Sequence, residues 1–257
     1  MWRKLRIAIL LLILGVAAWS NWYDRLSTTD WDETLYVGVF PIDEAQNPVA
    51  RAYIERLSAE RIADIEAFLN QEAHEYGVAI ARPVSVELYP PVLERPPERA
   101  ADANMLQNMW WSLKVRMYAR RASRASGKPP PQVRIFVLYH DPTFSQSVPH
   151  SVGMQKGLVG VVHAFADARM TRTNNVVITH EILHTLGASD KYDVETMAPL
   201  YPSGYAEPDK TPRYPQTFAE IMAGRLAIDA RTFEIPESLD QVVVGEATAL
   251  EIRWIRK

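Results

Sequence analysis

One segment of this 257-residue chain combines residue types and a spacing that suit metal chemistry. Residues 175–190 read NVVITHEILHTLGASD, with His180 and His184 four positions apart. Side chains four positions apart on a helix lie one turn apart on the same face, so both imidazoles could bind one metal ion. Glu181 lies beside them and could take a proton from a water molecule at that ion. The segment therefore predicts a catalytic metal site.

The helix that must position these side chains is indicated by its own local signals. Asn174 or Asn175 is suited to cap its start, and Gly187 is expected to end it in a left-handed backbone conformation. The chain reversal at Gly187 would bring Asp190 back toward the two histidines as a third ligand. Three protein ligands leave one coordination position open, which is the condition for a catalytic zinc site.

The absence of cysteine restricts which atoms can bind the metal. Without thiolates the ligands must come from His, Asp or Glu, and disulfides and iron–sulfur clusters are excluded. The chain has six histidines and none follows His184, so a ligand further along the chain must be a carboxylate. The formal net charge of −3 argues against a nucleic-acid partner, because such proteins usually carry a strongly basic surface.

The run HEILHTLGASD at positions 180–190 resembles the zinc-binding motif of the metzincins, in the variant that has Asp as third ligand. The following DKY, at positions 190–192, is similar to the Asp-x-Tyr of snapalysin-like secreted metallopeptidases. The resemblance covers about residues 175–226. It implies a zinc ion held by His180, His184 and Asp190, with Glu181 as general base. It also implies a metzincin-like fold with a methionine turn beneath the zinc.

The resemblance also indicates residues outside the motif. Met222 in the sequence EIMAG is favoured for the methionine turn because it resembles the snapalysin version, and Met197 is the alternative. Tyr192, from the Asp-x-Tyr pattern, is expected to hydrogen-bond the oxyanion that develops during peptide hydrolysis. Three other tyrosines of the same loop could take this part, or all four could simply pack the loop: Tyr201, Tyr205 and Tyr214.

The third ligand has competitors further along the chain. Thermolysin-like enzymes take a glutamate from a later helix, and Glu207 or Glu220 could be so placed. Asp190 at the metzincin spacing after Gly187 is favoured over both. His163 could contact a substrate, although packing or solvent exposure is expected for it. The remaining histidines have no spacing that indicates a site: His74, His140 and His150.

Alternating strand and helix patterns predict an α/β (α+β) fold with a mixed, mostly parallel sheet flanked by helices. An N-terminal lobe is expected up to about residue 187, followed by a smaller C-terminal lobe over 188–257. The expected helices are Val49–Tyr76 and Glu98–Ala125, besides the one with the motif. The expected strands are Leu35–Ile42, Val84–Leu88, Val133–Tyr139, an edge strand at Gly157–Phe165, and Gln241–Val244 and Leu250–Ile255 near the C-terminus.

The second expected helix carries two tryptophans and several cations. One interpretation is a basic face that lies on anionic lipid headgroups. The favoured interpretation is a helix packed on the sheet, with its tryptophans in the core and its cations in solvent. These residues are Trp110, Trp111, Lys114, Arg116, Arg120, Arg121 and Arg124.

The N-terminus has the pattern of a membrane anchor or a signal segment, over residues 1–24. Arg3, Lys4 and Arg6 precede the charge-free run Ile7–Tyr23, which places the N-terminus in the cytoplasm and residues 25–257 outside it. A retained single-pass anchor in the inner membrane is favoured, with a periplasmic or extracellular catalytic domain. Cleavage after Val16-Ala17-Ala18 would make the protein secreted instead.

Together these features predict a membrane-anchored, extracytoplasmic zinc endopeptidase that acts on peptides or proteins. The edge strand is expected to bind the peptide backbone by strand addition. Two alternatives stay open: a zinc amidase that acts on cell-wall peptides, and a membrane-tethered zinc-binding module without catalysis.

Overall fold

Five strands form the central sheet, in the order β2-β1-β3-β5-β4. All neighbours are parallel except β4, which runs antiparallel to β5. The strands are β1 (Leu35–Ile42), β2 (Val84–Leu88), β3 (Val133–His140), β4 (Val152–Met154) and β5 (Val159–Phe165). The computed structural model describes residues 2, 6, 29–43, 47–100, 102–144, 147–155 and 157–255.

Helices cover both faces of this sheet. They are α1 (Pro48–Ile54), α2 (Ala63–Glu75), α3 (Met105–Ala125), α4 (Thr171–Leu186) and α5 (Glu246–Glu251). Because successive side chains of a strand point to opposite faces, Ile135 and Val137 pack in the same cluster as residues of α2 and α4. Phe136 and Leu138 pack on the other face, against α3. The prediction of a mixed, mostly parallel α/β sheet flanked by helices is confirmed.

The edge of the sheet beside the motif helix is β4, and not β5 as the sequence suggested. β5 lies between β3 and β4 and pairs with both. A three-residue strand with glycine at its centre is too short to show an alternating pattern, which explains why β4 escapes sequence analysis.

The long helix expected over Val49–Tyr76 is wrong, because α1 and α2 are separate. Ser58 between them has an extended backbone, with φ −126° and ψ 166°, and a short 3-10 helix follows over Ala59–Arg61. The interruption lets Ile54 and Ile62 both reach the core.

The start of α3 also differs from the expected Glu98. Asn104 and Gln107 form a reciprocal capping box, each side chain accepting the other's backbone N–H at 3.0 and 2.8 Å. Trp111 is half-buried and donates its Nε1–H to the carbonyl oxygen of Pro97 at 2.8 Å. The expectation that both tryptophans pack in the core is wrong for Trp110, whose side chain is exposed.

Helix α4 begins at Thr171, so neither Asn174 nor Asn175 caps it. Both amides lie within the helix and tie it to neighbouring segments. Asn174 exchanges hydrogen bonds with the backbone of Phe165, at 3.2 and 2.9 Å, and Asn175 donates to the carbonyl oxygen of Arg61 at 2.7 Å. These contacts fix the position of α4 against β5 and the 3-10 helix that precedes α2.

After residue 187 the chain forms short elements that share the core of the sheet. The two-residue strands are β6 (Ala219–Glu220), β7 (Leu226–Ala227), β8 (Phe233–Glu234) and β9 (Val242–Val243). β9 falls within the strand expected at Gln241–Val244. The strand expected at Leu250–Ile255 is wrong, because α5 continues through Glu251 and turns follow over residues 252–255. Met222, Val242 and Trp254 pack with Ile182 in one cluster, and the division into two lobes stays a prediction.

The proposed anchor Ile7–Tyr23 and the cleavage sequence Val16–Ala18 lie outside the described residues. Among the residues that are described, no helix is both long enough and apolar enough to cross a membrane.

Candidate metal centre

The C-terminal end of α4 brings the motif residues together. Gly187 has φ 107°, in the left-handed region, as the sequence predicts. Its N–H bonds the carbonyl oxygen of His184 at 3.1 Å, and the N–H of Ala188 bonds that of Leu183 at 3.0 Å. This pair of bonds is the Schellman motif, which ends the helix and turns the chain back along it.

Both histidines are oriented by backbone carbonyl groups. Nδ1 of His180 lies 2.9 Å from the carbonyl oxygen of Ile221, and Nδ1 of His184 lies 2.8 Å from that of Ala188. A carbonyl oxygen only accepts hydrogen bonds, so both Nδ1 atoms must carry a proton. The two Nε2 atoms are then the ones left to bind a metal, and such a carbonyl partner is typical of metal-binding histidines.

Asp190 completes this arrangement. Its Oδ1 lies 3.3 Å from Nε2 of His180 and 3.1 Å from Nε2 of His184. Both rings already donate their Nδ1 protons to carbonyl groups. A close contact between Nε2 and the Asp190 carboxylate therefore needs a second proton on each ring or one cation shared by the three atoms. The structure thus places the favoured third ligand against both histidines.

The ionisation of these groups reflects their proximity. Burial raises the pKa of Asp190, but hydrogen bonds from His180 and His184 outweigh it and hold the pKa far below its usual range. For His184, burial lowers the pKa, while the hydrogen bond that it donates to Asp190 and the charge of Glu181 raise the pKa more. Both shifts favour the ionised forms of Asp190 and His184.

Glu181 lies at the same centre, in a nearly enclosed position. One ligand atom each from His180, Glu181 and His184 lie within 4.8 Å of one another. Oε2 of Glu181 is buried and has no hydrogen-bond partner among the described residues. Burial raises the pKa of Glu181, and the two histidines oppose that rise. A buried carboxylate oxygen without a partner fits a site that receives a metal ion or its water.

Strand β4 closes the site over Glu181. A Cβ atom on Gly153 would lie 2.5 Å from Cβ of His184, 2.6 Å from the carbonyl oxygen of Glu181 and 3.0 Å from its Oε2. Only glycine allows the strand to come this close to α4. The sequence gives no signal for this contact.

Met222 lies beside the centre. Its side chain is fully buried in the main core, and the carbonyl oxygen of its neighbour Ile221 accepts the His180 hydrogen bond. The carbonyl oxygen of Met222 accepts the N–H of Lys191 at 2.9 Å, which ties the turn to the segment after Asp190. The alternative, Met197, lies in the loop with φ 59° and lines a cavity in front of His180 and Glu181.

Neither competing glutamate joins the histidines. Glu207 accepts hydrogen bonds from Lys210 and Thr217. Glu220 is buried and accepts from Ala223, Gly245 and Thr248, which fixes the turn before Met222 to α5. Both carboxylates serve the loops that hold them.

The four loop tyrosines separate into two groups. Tyr192 lines the cavity at the centre, where burial and the charges of Asp190 and Glu181 raise its pKa. Tyr205 and Tyr214 share a hydrogen bond of 2.9 Å, and the ring of Tyr201 meets that of Tyr205 edge to face, with 5.7 Å between centroids. The last three therefore pack among themselves.

A cavity of about 280 Å³ opens in front of His180 and Glu181. The guanidinium of Arg225 lines it, half-buried, and sequence analysis missed this residue although it directly follows the EIMAG turn. Apolar residues form much of the remaining wall, including Val176, Val177, Ile221 and Ile235. The cavity can hold a side chain next to the carboxylate of Glu181.

A second cavity of about 390 Å³ adjoins the first and shares Pro149, His150 and His163 with it. His163 is half-buried, and its Nδ1 lies 2.8 Å from Nε2 of His140. His163 is thus neither packed in the core nor simply exposed. His74 lies elsewhere, with Nε2 3.0 Å from the carbonyl oxygen of Ile80.

Comparisons with known proteins leave the family open. No protein-family model matches the chain, and no curated protein matches it. One solved structure, described as "Structure of a chaperone-substrate complex", is similar to 87% of this chain with 12% identity and a TM-score of 0.40. The chain spans 35% of the length of that protein. A likeness this weak carries no argument about fold or function.

Proposed function

We propose that this protein is a zinc-dependent endopeptidase with a metzincin-like fold. One observation carries the proposal: Nε2 of His180, Nε2 of His184 and Oδ1 of Asp190 converge while both Nδ1 atoms are held by carbonyl groups. Nitrogen and carboxylate ligands of this kind suit zinc. The buried, unpartnered oxygen of Glu181 at the same point supports a catalytic site over a structural one.

His180, His184 and Asp190 would hold the zinc ion. A zinc ion bound there would supply Lewis-acid chemistry, which activates water and polarises the scissile carbonyl group. The carbonyl oxygens of Ile221 and Ala188 keep both imidazoles in the orientation that this binding requires.

Glu181 is the general base in this proposal. Its carboxylate takes a proton from the attacking water and later gives it to the leaving amine. The raised pKa of Glu181, which follows from its burial, suits a group that must both accept and release a proton. Tyr192, which lines the same cavity as Glu181, would donate a hydrogen bond to the oxyanion.

The substrate backbone would pair with the exposed edge of β4. β4 is the outer strand of the sheet, and its Gly153 lies directly against Glu181. A peptide added to this edge as a further strand would place its backbone beside the catalytic carboxylate. The strand for this role therefore moves from β5, the sequence-based choice, to β4.

The N-terminal segment 1–24 is proposed as a membrane anchor or signal that places the catalytic part outside the cytoplasm, in the periplasm or beyond. The pattern of three cations before an apolar run supports this. Peptides or proteins outside the cytoplasm would then be the substrates.

Digestion of two substrate classes tests the proposed reaction. The zinc-loaded full chain would be incubated with a broad peptide library, with casein and with purified peptidoglycan, and the products identified by mass spectrometry. We expect cleaved peptides and casein. Release of cell-wall peptides alone would favour the amidase, and bound zinc without any cleavage would favour the binding module.

A further inference from the structure

The outer face of α3 carries an apolar surface that nothing in the described structure covers. Its large side chains are between 39% and 79% exposed. They recur at intervals that place them along one side of the helix, opposite the face that packs on the sheet. They are Met105, Leu106, Met109, Trp110, Leu113 and Met117.

The other face of α3 already has its partner. Val115, Tyr118 and Ala119 are buried against Phe40 and Phe136 of the sheet. The exposed apolar residues of α3 therefore do not contribute to its packing on the sheet. A contiguous surface of large exposed apolar side chains usually marks an interaction site.

The same outer face becomes strongly cationic toward the C-terminal end of α3. The helix contains five cations and, over residues 105–125, no Asp or Glu: Lys114, Arg116, Arg120, Arg121 and Arg124. Among the described residues, the one ion pair of these cations joins Arg121 to Glu94 at 3.1 Å. Lys114 lies over the ring of Trp110, 5.8 Å from its centroid.

We propose that this outer face of α3 docks on the surface of an anionic lipid bilayer. An apolar face with tryptophan, flanked by cations and without acidic residues, matches the acyl–headgroup boundary of such a membrane. A protein partner would need a large apolar patch beside a purely acidic one, whereas anionic lipids supply both. The helix would lie in the plane of the membrane and would not cross it.

This docking is compatible with an accessible metal centre. Helix α3 covers one face of the sheet, and α4, which carries His180 and His184, packs on the other. A membrane in contact with α3 thus leaves α4 uncovered. The proposal does not depend on the proposed zinc chemistry.

The natural absence of cysteine allows a direct test with single labels. Met109→Cys would carry a polarity-sensitive fluorophore in the full chain, with Val194→Cys, an exposed loop position, as the matched control. Both proteins would be reconstituted with phosphatidylcholine vesicles, with or without phosphatidylglycerol, that contain brominated acyl chains. We expect several-fold stronger quenching of the label at 109 than at 194 when phosphatidylglycerol is present.

The cations should determine the lipid preference. Arg120→Glu combined with Arg124→Glu should abolish the difference between the two vesicle types at position 109, with the folded state checked by circular dichroism. Leu113→Cys provides a second label on the same face. Equal exposure of labels 109 and 194 to aqueous iodide in anionic vesicles would overturn the proposal. So would protection that appears without lipid and rises with protein concentration, which would indicate a second copy.

A different observation concerns Arg225 in the cavity beside Glu181. Its guanidinium is half-buried and has no hydrogen bond or ion pair among the described residues. Burial lowers its pKa, and Tyr192 alone opposes this. A half-buried guanidinium at a cavity wall, without a protein partner in the described part of the chain, is free to bind an anionic group that enters from outside the chain.

We infer that Arg225 binds a carboxylate of the substrate; this inference rests on the proposed function. The carboxylate could belong to an acidic side chain next to the scissile bond or to the C-terminus of a peptide. A guanidinium can bind either one through two parallel hydrogen bonds.

Binding to the inactive Glu181→Gln chain tests this independently of cleavage. Zinc-loaded protein would be titrated with a peptide amide that contains Glu, with the same peptide containing Gln, and with the Gln peptide as a free acid. We expect at least about tenfold tighter binding of a peptide with a carboxylate than of the neutral one. Preference for the Glu peptide would identify a side-chain carboxylate, and preference for the free acid a terminal one.

Arg225→Gln should remove that difference, while Arg231→Gln, at an exposed position, should keep it. If Glu181→Gln with Arg225 intact binds all three peptides equally, the role of Arg225 is refuted. If these peptides bind selectively to Glu181→Gln but the unaltered chain cleaves no peptide, the proposed function is contradicted and the carboxylate site still stands.

Discussion

At the scale of single residues, the candidate centre depends on backbone carbonyl groups as much as on its ligands. The carbonyl oxygens of Ile221 and Ala188 determine which nitrogen of each histidine faces Asp190. One of them comes from the turn at Met222 and the other from the reversal after Gly187. The candidate ligands are close in sequence, but their orientation requires two segments that lie about 35 residues apart.

Asp190→Ala tests which carboxylate is the third ligand. Loss of a partner of a metal-binding histidine typically costs 10- to 100-fold in affinity, and loss of a ligand should cost more. We therefore expect zinc affinity to fall by more than about 100-fold, measured by competition with a chromophoric chelator. Glu207→Gln, the matched control, should keep the affinity of the unaltered chain. The opposite pattern would make Glu207 the ligand.

At the scale of elements, the end of α4 is the feature that joins sequence to site. Gly187, in the left-handed conformation, ends the helix. The reversal turns the carbonyl group of Ala188 toward His184 and brings Asp190 back to both histidines. β4 then covers Glu181 through Gly153. The geometry of the centre therefore depends on two glycines at element boundaries.

Gly187→Ala should reduce both stability and metal binding. An L-residue in the left-handed conformation costs about 1–2 kcal/mol, and at this position the strain would also displace Ala188 and Asp190. Gly127→Ala is the matched control, because Gly127 has φ 71° at the end of α3 with nothing within 4 Å of an added Cβ. We expect thermal unfolding to show a loss in both variants. Zinc affinity should fall in Gly187→Ala alone, and equal affinities would contradict the role of this turn.

Glu72 of α2 should make stability depend on pH. Burial raises its pKa from 4.5 to about 7, the N–H of Val244 opposes this, and Glu75 and Glu220 add to the rise. The unfolded chain releases this proton at lower pH than the folded one. The stability from protonated Glu72 is thus fully present below pH 4.5 and is lost as the pH rises through about 7.

Glu72→Gln should remove this loss while its amide oxygen still accepts the Val244 N–H. We expect urea unfolding to show that the variant gains stability over the unaltered chain between about pH 5 and pH 8, on the order of 2 kcal/mol. The exposed neighbour Glu75→Gln should change little over the same range. If the difference in stability between Glu72→Gln and the unaltered chain is the same at all pH values, the raised pKa of Glu72 is contradicted.

The elements also show what the sequence can and cannot predict. The spacing of His180 and His184 and the glycine at 187 are local signals, and the structure agrees with the geometry they imply. The placement of Asn174 and Asn175 inside α4, the break at Ser58 and the strand β4 depend on tertiary contacts, which local patterns do not record. The same holds for Glu220, whose burial against Thr248 removes it from the candidate ligands.

At the scale of the whole molecule, the sheet separates two surfaces. α4 and the candidate metal centre lie on one face, and α3 with its apolar and cationic side lies on the other. The fold class was predictable because strands and helices alternate along the chain. The exposure of Trp110 was not, because an amphipathic pattern does not say which of two apolar faces meets the core.

The central claim is that His180, His184 and Asp190 hold one zinc ion beside Glu181 as general base. The most direct test measures zinc content and peptide hydrolysis together, on the full chain and on Glu181→Gln. We expect one zinc ion per chain in both proteins and a rate of hydrolysis that falls by about 100-fold or more in the variant. Absence of zinc from the unaltered chain, or full hydrolysis by zinc-loaded Glu181→Gln, would contradict it.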